Sequence, residues 1–452
     1  MNKLNEINAR IGKYRWTICA LLFFATTVNY LDRQVLSLLK VDLEAAFGWN
    51  DTDYGNITSA FQFVYAISML FAGRFVDWLG TKKGYAWSII VWSVGAMGHA
   101  LSCGTGGFMF WRGALGFGES GNFPAAIKTT AEWFPKKDRA LATGIFNSGS
   151  NVGAILAPIA VPLIARHWGW QAAFITIGAA GFIWLLFWLW LYDTPKAMLA
   201  KGKIGQAEYD YIHSDADVQE LTDENTDSPA EEAPREKWFV EWGKLLRYRQ
   251  TWAFTLGKFM TDGIWWFFLF WLPDFLKSQY GMTGLSVSLP LAVLYSMTMV
   301  GSIGGGAFPM YFIKRGMNPY AGRMKAMFII ALFPLAVLGA QYMGQFSYWW
   351  AIVLIGIGAS AHQAWSANIF TTVSDMFPKK VIGSVTGIGG MAGGVGGILV
   401  SQTAGRIFDH FAALGTKETG YAIMFVVCAV AYLTAWCVMK LLVPRFRPVT
   451  NI

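Results

Sequence analysis

The sequence predicts an all-α membrane protein: twelve transmembrane helices in two six-helix bundles that repeat in the same orientation. Three observations carry this. The 452 residues are 54% hydrophobic and only 14% charged, whereas a soluble domain carries about a quarter charged residues. The apolar residues fall in long runs. Residues 171 to 192 hold no charge, and about 20 such residues cross a bilayer as a helix. Finally, one passage occurs twice. Phe134-Pro135-Lys136-Lys137 returns as Phe377-Pro378-Lys379-Lys380, and Thr143-Gly144-Ile145 as Thr386-Gly387-Ile388. Val152-Gly153 returns as Val395-Gly396 at the same displacement. Parallel halves around a shared site are a transporter architecture.

The predicted spans cover roughly 15–38, 55–75, 84–104, 107–127, 140–165, 170–192, 252–273, 286–312, 324–343, 347–370, 382–405 and 419–442. Their boundaries carry errors of a few residues. A polar stretch separates the sixth from the seventh. The expected organisation is an N-terminal bundle over 1–193, a linker over 194–250 and a C-terminal bundle over 251–452. The acidic middle of the linker, Asp215 to Glu236, reads as partly disordered. The first span is too long for a signal peptide and lacks a clear cleavage site.

Orientation follows from Lys and Arg in the short loops. Cations occur at Lys3, Arg10, Lys13 and Arg15, then at Lys82 and Lys83, and at Lys136, Lys137 and Arg139. They recur at Lys314, Arg315, Arg323 and Lys325, at Lys379 and Lys380, and at Arg445 and Arg447. The intervening loops are poor in cations. Both termini and the linker are therefore expected in the cytoplasm, and the chain in the inner (cytoplasmic) membrane. This alternation accounts for the net charge of +8, so no nucleic-acid partner is expected. Cys19, Cys103, Cys428 and Cys437 lack metal-ligand spacing. No metal or cofactor is expected.

Charges inside a span are costly and mark pathways or partners. The deeply placed ones are Asp32 and Arg33 in span 1, Arg112 and Glu119 in span 4, Lys258 and Asp262 in span 7, and His362 in span 10. These are every third helix. If each half is two three-helix units, one helix from each unit converges on a central cavity. The internal repeat superposes Glu119 on His362. Arg112 and Glu119, seven apart, share a helix face roughly 10 Å apart along the axis. Lys258 and Asp262, four apart, face each other.

This pattern suits an anion site with proton coupling. Arg33, Arg112 and Lys258 supply positive charge, and guanidinium suits carboxylate recognition. Asp32 and Glu119 can exchange a proton as water or a cation approaches. The alternative is structural: ion pairs that lock helices, a self-satisfied Lys258–Asp262 pair and a packed His362. Asn29, Tyr30, Gln62, Tyr65, Asn147, Ser150, Asn151, Trp265, Trp266, Gln363 and Trp365 share these segments. As a set they suit a ligand with hydroxyls and an apolar face. Span 11 holds Gly383, Gly387, Gly389, Gly390, Gly393, Gly394, Gly396 and Gly397, read as close packing or as a hinge. After span 2, Asp77 beside Lys82 and Lys83 is a candidate gating latch between helix ends; a solvated loop is the alternative.

The stretch Gly73 to Lys83 resembles the loop signature of the major facilitator superfamily, Gly-x-x-x-Asp-x-x-Gly followed by basic residues. The equivalent loop after span 8 is degenerate. Within the superfamily the chain resembles the anion:cation symporter family, through Asn29-Tyr30-Leu31-Asp32-Arg33, Trp111-Arg112 through Glu119 to Pro124, Glu132-Trp133-Phe134-Pro135 and His167-Trp168-Gly169-Trp170-Gln171. Ala361-His362-Gln363-Ala364 and Ser374-Asp375-Met376-Phe377 are similar to bacterial hexuronate transporters. The resemblance implies proton-coupled uptake of sugar acids. It implies that Asp32 and Glu119 titrate and that Arg33, Tyr65, Arg112 and Trp365 border the substrate path. Ser150 and Gly390 depart from the galactonate-carrier pattern, where Gln and Asn are expected.

The expected function is import of a small organic anion, a hexuronate or related sugar acid, with protons, by a monomer in the lipid bilayer. A facilitator or antiporter without obligatory coupling and a non-transporting sensor are the alternatives. An enzyme is not expected, since the spans show no nucleophile–base or metal signature.

Overall fold

The computed structural model describes residues 12–214, 243–377 and 379–449. The acidic middle of the expected linker lies outside the described residues. Within them, all regular structure is helical. In the first half these are α1 (Tyr14–Leu38), α2 (Lys40–Phe47), α3 (Asp51–Leu79), α4 (Thr81–Gly98), α5 (Thr105–Glu119), α6 (Asn122–Trp133) and α7 (Lys136–Leu191). Two short helices, α8 (Pro195–Ala200) and α9 (Gln206–Ile212), follow. The second half holds α10 (Arg249–Tyr280), α11 (Ser288–Ile313), α12 (Pro319–Ile330), α13 (Ala340–Gly344), α14 (Tyr348–Met376), α15 (Lys379–Ala413) and α16 (Lys417–Leu442).

Counted as crossings, these make twelve, with two broken spans and one merged pair. The fourth crossing is α5 continued by α6. Pro124 lacks the N–H that would bond the carbonyl of Ser120, so the helix is interrupted just before it. The ninth is α12, a 3₁₀ turn over Phe333–Gly339 containing Pro334, and α13. Crossings five and six are two helices within α7, joined without an intervening loop at Gly169, where the backbone leaves helical geometry and the chain reverses. Gly169 has φ of 84°, a conformation that a side chain resists. Helices also run beyond the apolar runs because their ends are capped. Asn50 and Asp53 form a reciprocal capping box at α3, and Gly48 closes α2 with φ of 67°.

Among the described residues, six segments are apolar and long enough to cross a membrane by length and composition alone. The helices α1, α5, α10 and α14 are not among them, and these carry Asp32, Arg33, Arg112, Glu119, Lys258, Asp262 and His362. The surface confirms a lipid setting: Leu441, Trp190 and Val300 are 79%, 75% and 73% exposed. Lipid covers such side chains without penalty, whereas water does not.

Glycines set how closely helices approach. The Gly263 position of α10 lies against the Gly396 carbonyl of α15, where an added Cβ would fall 2.8 Å from the oxygen. Gly55 of α3 meets the Ser401 carbonyl equally closely. The two halves thus touch along α3 and α15, and along α7 and α11.

At the end remote from Tyr14 and Leu442 an ionic network ties the halves together. Lys40 Nζ reaches Asp51 Oδ1 at 2.5 Å, Asp274 Oδ1 at 2.6 Å and Glu44 Oε1 at 2.6 Å. Lys417 bridges Asp51 and Asp274 at 2.7 and 2.9 Å. Lys277 reaches Glu44 at 2.8 Å. The Tyr421 hydroxyl donates to Asp274, and the Tyr54 hydroxyl donates to the Phe270 carbonyl at 2.8 Å. Asp409 accepts from the backbone N–H of Asp51 and Thr52, both at 2.8 Å.

Candidate functional site

Between the halves lies a cavity of about 270 Å³, near the lower end of the range for small-molecule sites. Helix α1 contributes Asn29, Tyr30 and Arg33, and α3 contributes Tyr65. Asn147 and Ser150 come from α7, Lys258, Asp262, Trp265 and Trp266 from α10, and His362 and Gln363 from α14. The Gly390 and Gly394 faces of α15 close one wall. Both halves therefore build it.

Arg33 is surrounded on its edge and faces. Its Nε donates to Glu119 Oε2 at 2.5 Å. Its guanidinium carbon sits 4.9 Å from the ring centres of Tyr30 and Tyr65, 5.4 Å from Phe61 and 5.5 Å from Trp266. A planar delocalised cation suits such a box, because it offers edges for hydrogen bonds and faces for stacking. Trp266 belongs to the second half, so the box spans the interface.

Behind Arg33 lies a second layer. Arg112 is fully buried and donates from Nη2 to the Arg33 carbonyl at 2.8 Å. Its Nε and Nη1, and both oxygens of buried Asp32, have no hydrogen-bond partner among the described residues. Glu119, Asp32 and Arg112 do not line the cavity. They stand deeper, Glu119 against the Arg33 guanidinium and Arg112 against the Arg33 carbonyl. Asp32 and Arg33 are neighbours, so they point about 100° apart around the helix; only one of them faces the cavity.

In the second half, Lys258 Nζ pairs with Asp262 Oδ2 at 2.6 Å and lies 4.3 Å from the Phe370 ring centre. His362 Nδ1 and the Tyr432 hydroxyl are 2.8 Å apart, and the imidazole stacks on Trp265 with ring centres 5.2 Å apart. Gln363 lines the cavity beside it. Trp365 does not: it is fully buried and packs edge-on to Tyr432.

The residues considered for gating are placed differently. Lys82 pairs with Asp193 at 3.3 Å inside the first half, and Lys201 reaches the same oxygen at 2.7 Å. Partial burial pushes the Asp193 carboxyl up, but hydrogen bonds from Lys201, the Thr194 N–H and Lys82 outweigh it and hold the group below the usual carboxylate range. Lys83 is exposed. The Asp77 side chain lies outside the described residues.

Sequence reasoning passed over Phe61, which stacks on two arginines, and Tyr432, the partner of His362. Neither carries a signal in one dimension. It also passed over Lys40 and Asp274. These were legible in principle, as single charges flanked by apolar runs, but the predicted seventh span ended one residue before Asp274.

Comparison with known proteins accords with this geometry. Residues 22–401 match the profile of the Major Facilitator Superfamily. The hexuronate transporter of Escherichia coli (strain K12) is 31% identical over 438 residues, covering 95% of each chain. The galacturonate transporter of Dickeya chrysanthemi is 32% identical over 339 residues, covering 75% of this chain and 93% of its own. A bacterial homolog of the human lysosomal transporter Spinster superposes with a TM-score of 0.72 at 17% identity, over 95% of this chain and 98% of its own. A profile match over most of the length, a polytopic helical fold and a polar cavity between two repeated halves agree: this chain belongs to the Major Facilitator Superfamily.

Proposed function

We propose that the chain is a proton-coupled importer of a hexuronate or a related sugar acid, acting as a monomer in the inner membrane with both termini in the cytoplasm. One observation carries this reading. Arg33 faces the cavity as a cation already occupied by the Glu119 carboxylate at 2.5 Å. A substrate carboxylate competes with Glu119 for the same guanidinium. Protonating Glu119 removes the competitor, so anion and proton arrive together. The aromatic box offers apolar faces to a sugar ring, while Asn147, Ser150 and Gln363 offer hydroxyl partners. Similarity to hexuronate and galacturonate transporters supports the substrate class.

Energetics favour coupling. One elementary charge crossing 100 mV involves about 2.3 kcal/mol. An inside-negative potential opposes influx of a monovalent anion. One proton cancels that penalty, and a second makes the potential drive uptake. Asp32, buried and unpartnered near Arg112, is the second carboxyl on this side of the cavity.

Proteoliposomes loaded against an inward proton gradient test the reading with radiolabelled D-glucuronate. Wild type concentrates it and alkalinises the outside. Glu119→Gln exchanges substrate across the membrane but no longer concentrates it. Accumulation by that variant, or wild-type uptake without proton movement, overturns the coupling.

A further inference from the structure

We propose that Asp262 is a further proton-exchanging carboxylate of the site, occupying Lys258 as a stand-in for the substrate until a substrate carboxylate replaces it. The inference rests on the sugar-acid reading above.

The geometry repeats in the second half what Glu119 does in the first. Each half presents one cation to the cavity, and each cation is held by a carboxylate of its own half: Arg33 by Glu119 at 2.5 Å and Lys258 by Asp262 at 2.6 Å. The difference is in placement. Glu119 is fully buried behind Arg33, whereas the Asp262 side chain is 19% exposed and itself lines the cavity. On α10, Lys258, Asp262 and Trp266 fall on successive turns of one face. Trp266 in turn lies beneath the Arg33 guanidinium. Asp262 therefore sits between the two cations, where a sugar acid bound to either would lie.

Among the described residues, the surroundings leave Asp262 no other free cation. It packs among four helices. Across from it, α1 presents Tyr30 and Arg33, the latter held by Glu119. Helix α14 presents His362, engaged by Tyr432, and α16 presents Tyr432 itself. Helix α15 presents only glycine: an added Cβ at Gly393 would lie 2.9 Å from Asp262 Cγ. A pair that served packing alone would not need to face solvent space, nor a glycine wall fitted to its carboxylate.

The exchange balances. The substrate carboxylate brings one negative charge. The Lys258 Nζ–H contact to Oδ2 breaks, the contact from Nζ–H to a substrate oxygen forms, and one proton from the aqueous cavity bonds to the freed Asp262 carboxylate. Counted alone, this exchange leaves the site's net charge unchanged; together with the proton on Glu119 it gives two protons per carboxylate, the ratio at which the membrane potential drives uptake. On release inside, the proton leaves and Asp262 recaptures Lys258.

Calorimetric binding of D-glucuronate to the purified full-length chain, from mildly acidic to mildly alkaline pH, tests this. A proton taken up on binding makes affinity fall by up to about tenfold per pH unit as pH rises. Asp262→Asn is expected to lower the wild-type slope by up to that tenfold per unit, and to bind more tightly than wild type at alkaline pH because Lys258 is then free. The double variant Lys258→Met/Asp262→Asn leaves no lone charge, so it folds even where the single variant does not. It is expected to bind more weakly than wild type, with the same reduced slope. A wild-type slope retained in both variants overturns the proposal while leaving the sugar-acid reading intact. Absence of glucuronate and galacturonate binding by wild type overturns that reading, and the role of Asp262 with it.

Discussion

Arg33 shows how much one side chain carries. Its guanidinium meets a carboxylate at one edge and four aromatic rings around its faces. Lysine would keep the charge but present no plane to stack and no fork to a carboxylate. Arg33→Lys is expected to fold normally and to bind glucuronate roughly 30-fold more weakly, the equivalent of about 2 kcal/mol of lost stacking. Titration calorimetry reads that change directly; an unchanged affinity would remove Arg33 from substrate recognition. At this scale the sequence was informative about which residues and not about how deep they stand. Ionisable groups inside apolar runs are conspicuous in one dimension. That Arg33 lines the cavity while Asp32 turns away depends on helix rotation against neighbours, which the sequence does not state. Phe61 and Tyr432 were invisible for the same reason: an aromatic residue in a membrane helix is ordinary until its partner is known.

At the scale of elements, apolar run length gave twelve crossings, and the departures have local causes. Pro124 and Pro334 interrupt spans four and nine without ending them, because the bilayer still requires the chain to cross. Residues 166 to 169 separate two predicted spans, and one glycine with positive φ turns the chain there. The glycine-rich span 11 suits either close packing or a hinge. Gly389, Gly393, Gly394, Gly396 and Gly397 all lie against side chains or backbone of α3 and α10, whereas Gly387 has open space. Gly396→Ala would drive a methyl into the Phe259 carbonyl. It is expected to cost about 1–3 kcal/mol, seen as a lower melting temperature in detergent. Gly387→Ala, with nothing to strike, is expected to be neutral or slightly stabilising. If Gly387→Ala instead kept its stability and stopped transport, the hinge reading would be favoured at that position.

The whole molecule is held at one end by charge. Lys40 is 1% exposed and touches three carboxylates, one of them from the other half. Removing one partner of a buried ion cluster costs about 3–5 kcal/mol. Because Asp51 and Asp274 come from different halves, that cost falls on the arrangement in which the halves meet at this end. Lys40→Met is therefore expected to populate forms open there. In a Cys103→Ser/Cys437→Ser background, since both thiols are exposed, Tyr54→Cys at this buried position would label with an impermeant maleimide at least about tenfold faster when Lys40 is also replaced. Equal labelling rates would show that the network does not govern this end. No reading of a single chain in one dimension finds such a network, since Lys40, Asp274 and Lys417 are brought together only by the meeting of the two halves.

The make-up of this seal has a further result. A plug of leucines would bare an oily rim each time it parted, and water would resist. Here parting uncovers ammonium and carboxylate groups that hydrate readily, so the mouth at this end can gape without becoming sticky, and dissolved salt should make it gape more easily.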